Sequence, residues 1–468
     1  MSRINTNVTS LIAQRVLRTN NNTLNTSLER LSTGLKINRG ADNPAGLIAS
    51  ENLRAEKAGI AQAIDNAERA ANIIGTAEGG LSEIGSLLTE LQTLIGQAAN
   101  TGGLSDEEIA ANQLQVDSIL NSINRIAGSV SFQGTKLLNG HFAYTTSGVS
   151  TTNFANVQVN AARMPDSAAV NVVVAVTQSA QTAQIKYTNG NLAADNPVTI
   201  EIAGNRGTEQ LSFAGGTTVT SMVTAINAIK NATGVSAAAS GTALLLNSVG
   251  YGSDQFVSLT TISGTFVPSA GIDYGRDASV TINGAAAQAK GLSVSYRGSN
   301  LDIELELKEA FNTVGNDSFY ITGGGATFSL GSKVTETEKA SIGIQSVTTG
   351  NLGDSSIGYL SSLGSGATNS LSSGNLVTAQ LIVDKAVRQV AQLRGRLGAF
   401  QKNTVQPTIN SLGVAYENAS AAESAIRDTD FAAETAALTR AQILAQAGIT
   451  VLAQANASPQ SVLALLRG

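Results

Sequence analysis

The chain has no cysteine, no tryptophan and a single histidine, His141. Without cysteine it can form neither a disulfide bond nor a thiolate metal site. His141 alone cannot build a zinc site or a serine triad, and the glycine clusters lack the lysine and Ser/Thr of a phosphate-binding P-loop. No paired acid and base stands out either. The sequence therefore predicts no metal, no cofactor and no enzymatic activity.

Long apolar runs and a strong net charge are also missing. The longest apolar stretches, such as VVVAV at 172–176, are far too short to cross a bilayer, and the N-terminus MSRINTNVTS has no signal-peptide segment. The net charge of −5 gives no reason to expect nucleic acid or an anionic membrane as a partner. We expect a protein without nucleic-acid binding or membrane insertion, either cytoplasmic or exported without a cleaved signal peptide.

Aromatic residues are scarce at both ends of the chain. Residues 1–140 contain only Phe132, and residues 371–468 contain three aromatics, whereas fifteen lie in 141–370. No proline occurs between Pro44 and Pro165. This distribution predicts helical ends and a middle region of a different kind.

Heptad repeats predict three long helices. From Leu53 to Ala98, apolar residues recur every seven positions with a second apolar residue three positions later, which is a coiled-coil seam. A second helix should begin after Ser105, which forms a capping-box pattern with Glu108, and a third should occupy 376–400. Because two seams are early and one is late, the chain must fold back into a bundle. We expect its seam to include Leu53, Ile60, Ile74, Leu81, Leu88, Ile95, Val383, Val390, Leu393, Leu397 and Phe400.

The two ends of the chain carry matching apolar stripes. Near the N-terminus, leucines are spaced by seven, and near the C-terminus small residues and leucines recur at steps of three and four. So apolar a helix would not be stable alone in water. We therefore predict that the ends pair as a terminal coiled coil, completed by adjacent copies, through Leu17, Leu24, Leu28, Leu31, Leu35, Leu438, Ala441, Ala445, Gly448, Leu452 and Ala455.

The middle region is rich in Gly, Ser, Thr and Val. Segments such as PVTIEIAG and LDIELELKEAF predict short strands, Val219–Gly234 predicts one helix, and Gly358–Gly374 predicts a loop. The fold class is α+β multidomain, with a long antiparallel helical coiled coil or bundle from both ends and an inserted, mainly β outer domain. The expected domains are a terminal coiled coil (1–44 with 425–468), a helical bundle with short β-hairpins (45–168 with 325–424), and an outer β-rich domain (169–324).

Several segments resemble bacterial flagellin. They include INTNVTSLIAQ, LERLSTGLKINRGADNPAGLIAS and SFQGTKLLNG in the first 140 residues, and IRDTDFAAET and AQILAQAGITVLAQANASPQSVLALLRG near the end. The segment AINAIKNATGVSA, Ala225–Ala237, also resembles a small β–α–β insert of some flagellins. The resemblance implies paired terminal helices in the inner tube of a filament, a bundle around it, and the variable middle outside.

The resemblance also implies a function and partners. A flagellin is exported unfolded through the flagellar secretion apparatus and assembles into the filament that drives swimming. Its expected partners are further copies of itself, an export chaperone that holds the C-terminal stripe as a helix, and the filament cap and hook-associated proteins. Two alternatives stay open: a hook–filament junction adaptor, and a filament-displayed adhesin or carbohydrate-binding module that uses the aromatics of the outer β domain.

Flagellins sensed by a vertebrate Toll-like receptor carry two arginines and a glutamate on the first long helix. In the matching stretch here, Glu90 and Gln92 stand at the arginine positions and Thr93 at the glutamate position, whereas Leu94 matches. On the second helix, Gln115 replaces an expected acid. Because Glu90 reverses the charge that the receptor would pair with, the resemblance implies weak recognition.

Overall fold

The computed structural model describes residues 6–100, 103–164 and 169–467, and from Pro459 onward it describes the backbone alone. The first five residues of the predicted N-terminal arm and Gly468 therefore lie outside the described residues. The helices are α1 Val8–Thr33, α2 Pro44–Ala98, α3 Asp106–Ser129, α4 Val219–Ala228, α5 Lys230–Thr233, α6 Leu376–Phe400, α7 Gln406–Arg427 and α8 Phe431–Arg467.

The strands are short and lie between α3 and α6. They are β1 Ser131–Phe132, β2 Thr135–Lys136, β3 Thr145–Ser147, β4 Phe154–Ala162, β5 Val170–Gln178, β6 Gln184–Tyr187, β7 Val198–Gly204, β8 Gly207–Phe213, β9 Val235–Ser240, β10 Ala243–Ser248, β11 Phe256–Ser263, β12 Ile272–Tyr274, β13 Ser279–Ile282, β14 Ala285–Lys290, β15 Ser293–Arg297, β16 Leu301–Leu307, β17 Gly315–Gly323, β18 Ala326–Ser329, β19 Lys339–Ile342, β20 Gly353–Asp354 and β21 Gly358–Tyr359.

The chain divides into two compact units, and both are discontinuous. The first combines residues 1–68, 330–334 and 406–468, and the second combines 69–329 and 335–405. The predicted boundaries at 44/45 and 424/425 therefore do not match this division, because α2 and α7 contribute part or all of their length to the first unit. The prediction of an α+β multidomain fold with helical ends is confirmed.

The caps of the helices follow their sequence signals. Ser105 Oγ accepts a hydrogen bond from Glu108 N, and Glu108 Oε2 accepts one from Ser105 N, so the predicted capping box is confirmed. Asp430 Oδ1 accepts from the backbone of the first turn of α8. Its role is that of a helix cap, as the acceptor geometry of a helix N-terminus requires. Gly34 ends α1 with φ of 74°, a left-handed conformation that suits glycine.

The long helix α2 buries the predicted seam. Every a and d position from Ile60 to Ala98 is at most 3% exposed. Leu53 and Phe400 at the ends of the predicted seam are half-buried. On α6, the buried seam residues are Val383, Val390, Leu393 and Leu397. Polar contacts also join the two helices, since Gln92 Nε2 donates to Asp384 Oδ1 at 3.1 Å.

The proline after α6 does not end the helix. A π turn, Gln401–Val405, follows α6 directly and leads into α7, which has Pro407 as its second residue. Proline has no N–H to donate and its ring crowds the preceding turn. A π turn thus precedes the proline, and the helix type changes there from α to π and back to α.

An antiparallel sheet of eight strands forms the larger β layer. Its order is β3-β17-β5-β13-β14-β15-β16-β4, and one of its faces forms a core that includes Val172, Ile282, Ile303 and Phe319. The sheet combines β3 and β4 with strands from beyond residue 169. One sheet therefore extends across the expected boundary at 168/169, because strand pairing joins residues 145–162 to strands of the outer region.

The smaller β layer consists of two sheets that share a core with a short helix. The four-stranded sheet β12-β11-β7-β8 and the three-stranded sheet β6-β10-β9 share a core with Met222 and Ile226 of α4. The predicted helix at Val219–Gly234 is interrupted at Ile229, so that α4 and α5 are separate, and it ends at Gly234 with φ of 76°. This β–α–β arrangement agrees with the insert expected from the sequence.

The aromatic residues of the middle region mostly fill these two cores. Phe154, Phe311 and Phe319 contact one another in the larger core, with centroid separations of 5.6 and 5.9 Å. Tyr187 and Phe266 stack at 3.9 Å in the smaller core. These side chains are therefore not available as the surface platform that a carbohydrate-binding module would use.

The segment Gly358–Gly374 is more ordered than a loop. It contains β21 and two short 3₁₀ turns, whose leucines Leu360, Leu363 and Leu371 are buried. The side chain of Gln113 binds the carbonyl of Leu363 and the N–H of Leu371. Composition alone suggested a loop, but three spaced leucines attach the segment to α3.

Candidate functional site on the terminal helix pair

The candidate site is formed by the chain ends, where α1 packs along α8. On α8, Ala441 and Ala445 are buried, and Leu438, Gly448, Leu452 and Ala455 are half-buried, so all six predicted residues occupy the covered face. On α1, Leu17, Leu24 and Leu31 are half-buried, but Leu28 is 47% exposed. Leu35 lies beyond the helix and forms a β-bridge with Asp428. Leu28 and Leu35 therefore do not belong to the helix–helix contact.

Small residues on α8 allow the two helices to approach closely. A Cβ atom added to Gly448 would lie 3.1 Å from Leu17 Cδ1 and 3.8 Å from Leu17 Cβ. A larger side chain at this position would have to displace Leu17. The two helices therefore approach closely because leucine side chains on α1 face glycine and alanine on α8.

Polar contacts along the pair set its register. Asn7 Nδ2 donates to the carbonyl of Ala455 at 2.8 Å, and Ser10 Oγ donates to Asn456 Oδ1 at 2.7 Å. Further along, Asn20 Nδ2 donates to the carbonyl of Leu444 at 3.2 Å. Apolar contacts alone let two helices slide along each other more easily than hydrogen bonds between specific atoms do. These hydrogen bonds therefore favour one axial alignment of α1 and α8.

A backbone junction joins the base of the pair to the rest of the first unit. Lys36 N donates to the carbonyl of Arg427 at 2.7 Å, and Thr429 N donates to that of Gly34 at 2.9 Å. Within the described residues, Arg30 Nε, Arg427 Nε and Thr429 Oγ1 are buried without a hydrogen-bond partner. A buried polar atom without a hydrogen-bond partner costs about 1–3 kcal/mol, so these atoms reduce the stability that the junction gains from its backbone hydrogen bonds.

Charged groups around the junction are paired on the surface. The backbone N–H groups of Arg39 and then Asn38 bind the Asp42 carboxylate and lower its pKa. The hydrogen bond from Lys57 Nζ to Glu423, 2.6 Å long, raises the pKa of Lys57. Such exposed pairs add little stability, and they stay charged at neutral pH.

Large apolar side chains remain uncovered on the outer surfaces of the pair. On α8, Val451 is 58% exposed. Between the two helices lies a shallow groove of about 430 Å³, formed mainly by apolar side chains that include Ile12, Val16 and Leu444. Other exposed apolar residues on the two helices are Val8, Leu11, Phe431, Ile443 and Ile449. We expected the seam itself to be left incomplete; the structure instead covers most of the seam within one chain and exposes a second set of residues.

A second uncovered surface lies on α2, opposite its buried seam. Its exposed residues are small and alternate in steps of four and three: Gly75, Gly79, Ser82, Ser86, Thr89, Thr93 and Gly96. A Cβ atom added to Gly75 or Gly79 would meet nothing within 4 Å, whereas one on Gly80 would lie 2.8 Å from Val130. Packing within the chain therefore requires glycine at position 80 but not at 75 or 79.

The receptor-like segment is only partly accessible. Glu90, Thr93 and Gln115 are exposed, and Gln92 is half-buried and bound to Asp384. Leu94, the position that matches the recognised flagellins, is 5% exposed and belongs to the bundle core. Leu94 was an expected recognition residue, and its burial removes it from the accessible surface because it faces the seam.

Among the described residues, no group of three or more His, Asp or Glu could hold a metal ion. Asp428 accepts a hydrogen bond from Ser424 Oγ at 2.6 Å. One helical segment, Phe431–Ser458 of α8, is long and apolar enough to cross a membrane by length and composition. The same composition suits a helix that other helices cover, so the expectation of no membrane insertion stays a prediction.

These features define a class of protein: a subunit whose chain ends form one helix pair with uncovered apolar surfaces, suited to head-to-tail association into an open helical polymer. The model of the bacterial flagellin N-terminal helical region matches residues 4–143, and that of the C-terminal helical region matches 381–466. The flagellin hook IN motif matches 199–250, which includes Ala225–Ala237.

Named relatives match along the whole chain. Flagellin D of Vibrio anguillarum is 31% identical over 463 residues, and Flagellin C of Vibrio cholerae is 32% identical over 464, each with 99% of both chains covered. A solved hook-associated protein-3 from Legionella pneumophila is 12% identical with a TM-score of 0.31, covering 80% of this chain and 97% of that one. The chain belongs to the bacterial flagellin family. The junction-adaptor and adhesin alternatives are not favoured, since the full-length relatives are flagellins.

The pairing of α1 and α8 can be tested by cross-linking, because the chain has no native cysteine. A Cβ atom added to Gly448 would lie 3.8 Å from Leu17 Cβ. This equals the distance of about 3.8 Å between the two Cβ atoms of a disulfide. We expect Leu17→Cys/Gly448→Cys to form an intramolecular disulfide under mild oxidation, seen as a mobility shift on non-reducing gels. Leu17→Cys/Ile443→Cys, with the second cysteine on the exposed side of α8, is the control. Equal cross-linking of both variants would contradict the pairing.

Proposed function

We propose that this chain is a structural subunit that self-assembles into the flagellar filament, with the terminal helix pair as its principal assembly element. The supporting observation is the set of large apolar residues that α1 and α8 leave exposed after their own contact has formed. Burying one such side chain contributes about 1.5–3 kcal/mol. Several of them per subunit therefore provide a strong drive for association between copies.

The small-residue surface of α2 supports a second assembly contact. Each glycine inside a helix costs up to about 1 kcal/mol relative to alanine. Gly75 and Gly79 bring no packing advantage within the chain. The role that accounts for them is close approach by a neighbouring helix, which only residues without bulky side chains permit. We propose that adjacent subunits meet α2 on this surface.

The remaining roles follow from the family. We propose that the chain is secreted without a cleaved signal peptide, through the flagellar export apparatus and with a chaperone bound to the C-terminal stripe. The filament cap and hook-associated proteins are its proposed neighbours at the two ends of the filament. We retain the terminal coiled coil as the inner tube and the β-rich region, now including residues 145–162, as the outer part. We propose that the chain as a whole has a structural and not a catalytic role.

Charge substitutions on α8 test the assembly surface. Val451→Asp adds a carboxylate to the exposed apolar surface, and burying an unpaired carboxylate costs several kcal/mol. We expect it to abolish seeded elongation, measured by light scattering and electron microscopy, while the Leu17–Gly448 disulfide still forms. Leu452→Asp, on the covered face, should weaken the helix pair, chaperone binding and polymerisation together. Gln446→Asp is the exposed polar control. Long filaments from Val451→Asp would rule out this surface.

Substitutions of the α2 glycines separate monomer stability from assembly. Gly75→Ala and Gly79→Ala should each stabilise the monomer, by up to about 1 kcal/mol, because alanine favours the helix. The same variants should raise the critical concentration for polymerisation, because the added methyl groups obstruct the neighbouring helix. Gly80→Ala should instead destabilise the monomer in denaturant titrations. If Gly79→Ala polymerised as well as the parent, α2 would not be a close-contact surface.

Receptor recognition is proposed to be weak. Glu90 is exposed and presents a negative charge where the recognised family members carry arginine. We expect low potency in a reporter-cell assay with the Toll-like receptor, and a gain for Glu90→Arg through restored charge complementarity. Glu83→Arg, one to two turns away on the exposed side of α2, serves as the control. Full potency of the parent protein would refute the proposal.

A further inference from the structure

A polar cleft lies within the second unit, between the eight-stranded sheet and α6. It has a volume of about 690 Å³, within the range of small-molecule sites. The sheet contributes β4, β14, β15 and β16, and α6 contributes residues from Lys385 to Gln392. Helices usually cover sheets with apolar side chains. Here polar side chains line both sides, and the space between them is open.

Strand register arranges the floor of the cleft into two polar rows. One row runs across four strands as Gln288, Ser295, Glu304 and Gln158, and the next runs as Lys290, Ser293, Glu306 and Asn156. Neighbouring strands are about 4.8 Å apart, and residues two apart along a strand are separated by about 6.7 Å. The rows thus form a regular grid of hydrogen-bonding groups.

Many groups of this grid have no hydrogen-bond partner in the described part of the chain. Gln288, Ser295 and Glu306 make no side-chain hydrogen bond there, and Lys385 Nζ, at 4.0 Å from Glu306, is directed to Asp354 at 3.1 Å. Burial raises the pKa of Glu306, and the positive charge of Lys385 partly offsets this rise. Ser295 and Glu306 are half-buried and Gln288 is exposed at the edge of the cleft, so donors and acceptors remain available there to a polar molecule.

The charges of the cleft nearly cancel, which constrains the ligand. Amide and hydroxyl groups sit among four basic residues (Lys290, Arg297, Lys385 and Arg388) and three acidic ones (Asp277, Glu304 and Glu306). A polyanion or a polycation would meet like charges along the whole length of the cleft. Planar amide and carboxylate groups are suited to pairs of adjacent hydroxyls. We propose that this cleft binds a short neutral oligosaccharide.

An adjoining pocket extends the site. It has a volume of about 470 Å³, shares Asn156, Gln158 and Gln389 with the cleft, and adds Tyr144 and Tyr359. Tyr359 is 38% exposed and offers a ring to the C–H face of a sugar, whereas Tyr144 packs against the larger core and its hydroxyl bonds to the backbone of Ala162. The site differs from an aromatic platform on the outer β layers, because its lining consists mainly of amide, hydroxyl and charged side chains. It is also independent of the helix pair that assembles the filament.

Binding is tested with the full-length protein as monomer and as filament. The probes are maltotetraose, cellotetraose and mannotetraose, with a heparin tetrasaccharide as the anionic comparison, measured by titration calorimetry and saturation-transfer NMR. Glu304→Ala removes a central acceptor of the grid, and Ser295→Phe fills the cleft while every charge stays in place. Glu201→Ala is the matched control, because Glu201 lies on the four-stranded sheet, bound by Gln210.

We expect binding of at least one neutral tetrasaccharide, weakened about tenfold or more by Glu304→Ala, as the loss of a charge-assisted hydrogen bond implies. Ser295→Phe should abolish binding, Glu201→Ala should leave it unchanged, and thermal melts check that each variant is folded. No binding of any neutral probe by monomer and filament would overturn the proposal. So would binding of heparin alone, or binding that persists in Ser295→Phe.

Discussion

The close approach of α1 and α8 is the contact on which the assembly surface of the molecule depends. It is possible because glycine and alanine on α8 face leucines on α1, as at Gly448 and Leu17. Small residues bury little area, so the pair gains only modest stability from its own contact. Other large side chains of the same helices, such as Val451 and Ile443, are exposed. A chain built in this way is complete only when other copies cover those side chains, which is what a polymer subunit requires.

The same separation of roles recurs on α2. Its seam from Ile60 to Ala98 is buried, and a stripe of small residues lies on the opposite, exposed surface beside Glu83 and Glu90. Glycine in the interior of a helix is costly, so its repeated use where nothing touches it indicates a contact outside the chain. The β layers differ, since Phe319 and Ile303 in one core and Ile226 in the other are covered within the chain. These layers are self-sufficient, and the terminal helices are not.

Periodic patterns were the most reliable guide to the fold. The seam of α2, the capping box at Ser105 and the facing residues of α8 all lie where the spacing predicted them. Predictions from composition were less reliable. The segment Gly358–Gly374 looked like a loop, although its leucines are buried, and the sheet extended past residue 168 because strand partners far apart in sequence leave no local signal of their pairing.

The sequence by itself determined which residues share a helix face, because the spacing of side chains along a helix is a local property of the backbone. It also determined the absence of thiol chemistry and the family to which the chain belongs. Only the tertiary structure decided which faces are covered. Leu88 and Leu28 both occupy predicted seam positions of heptad repeats, yet one is in the core and the other is 47% exposed. Burial depends on what packs against a residue, and that partner comes from a distant part of the chain.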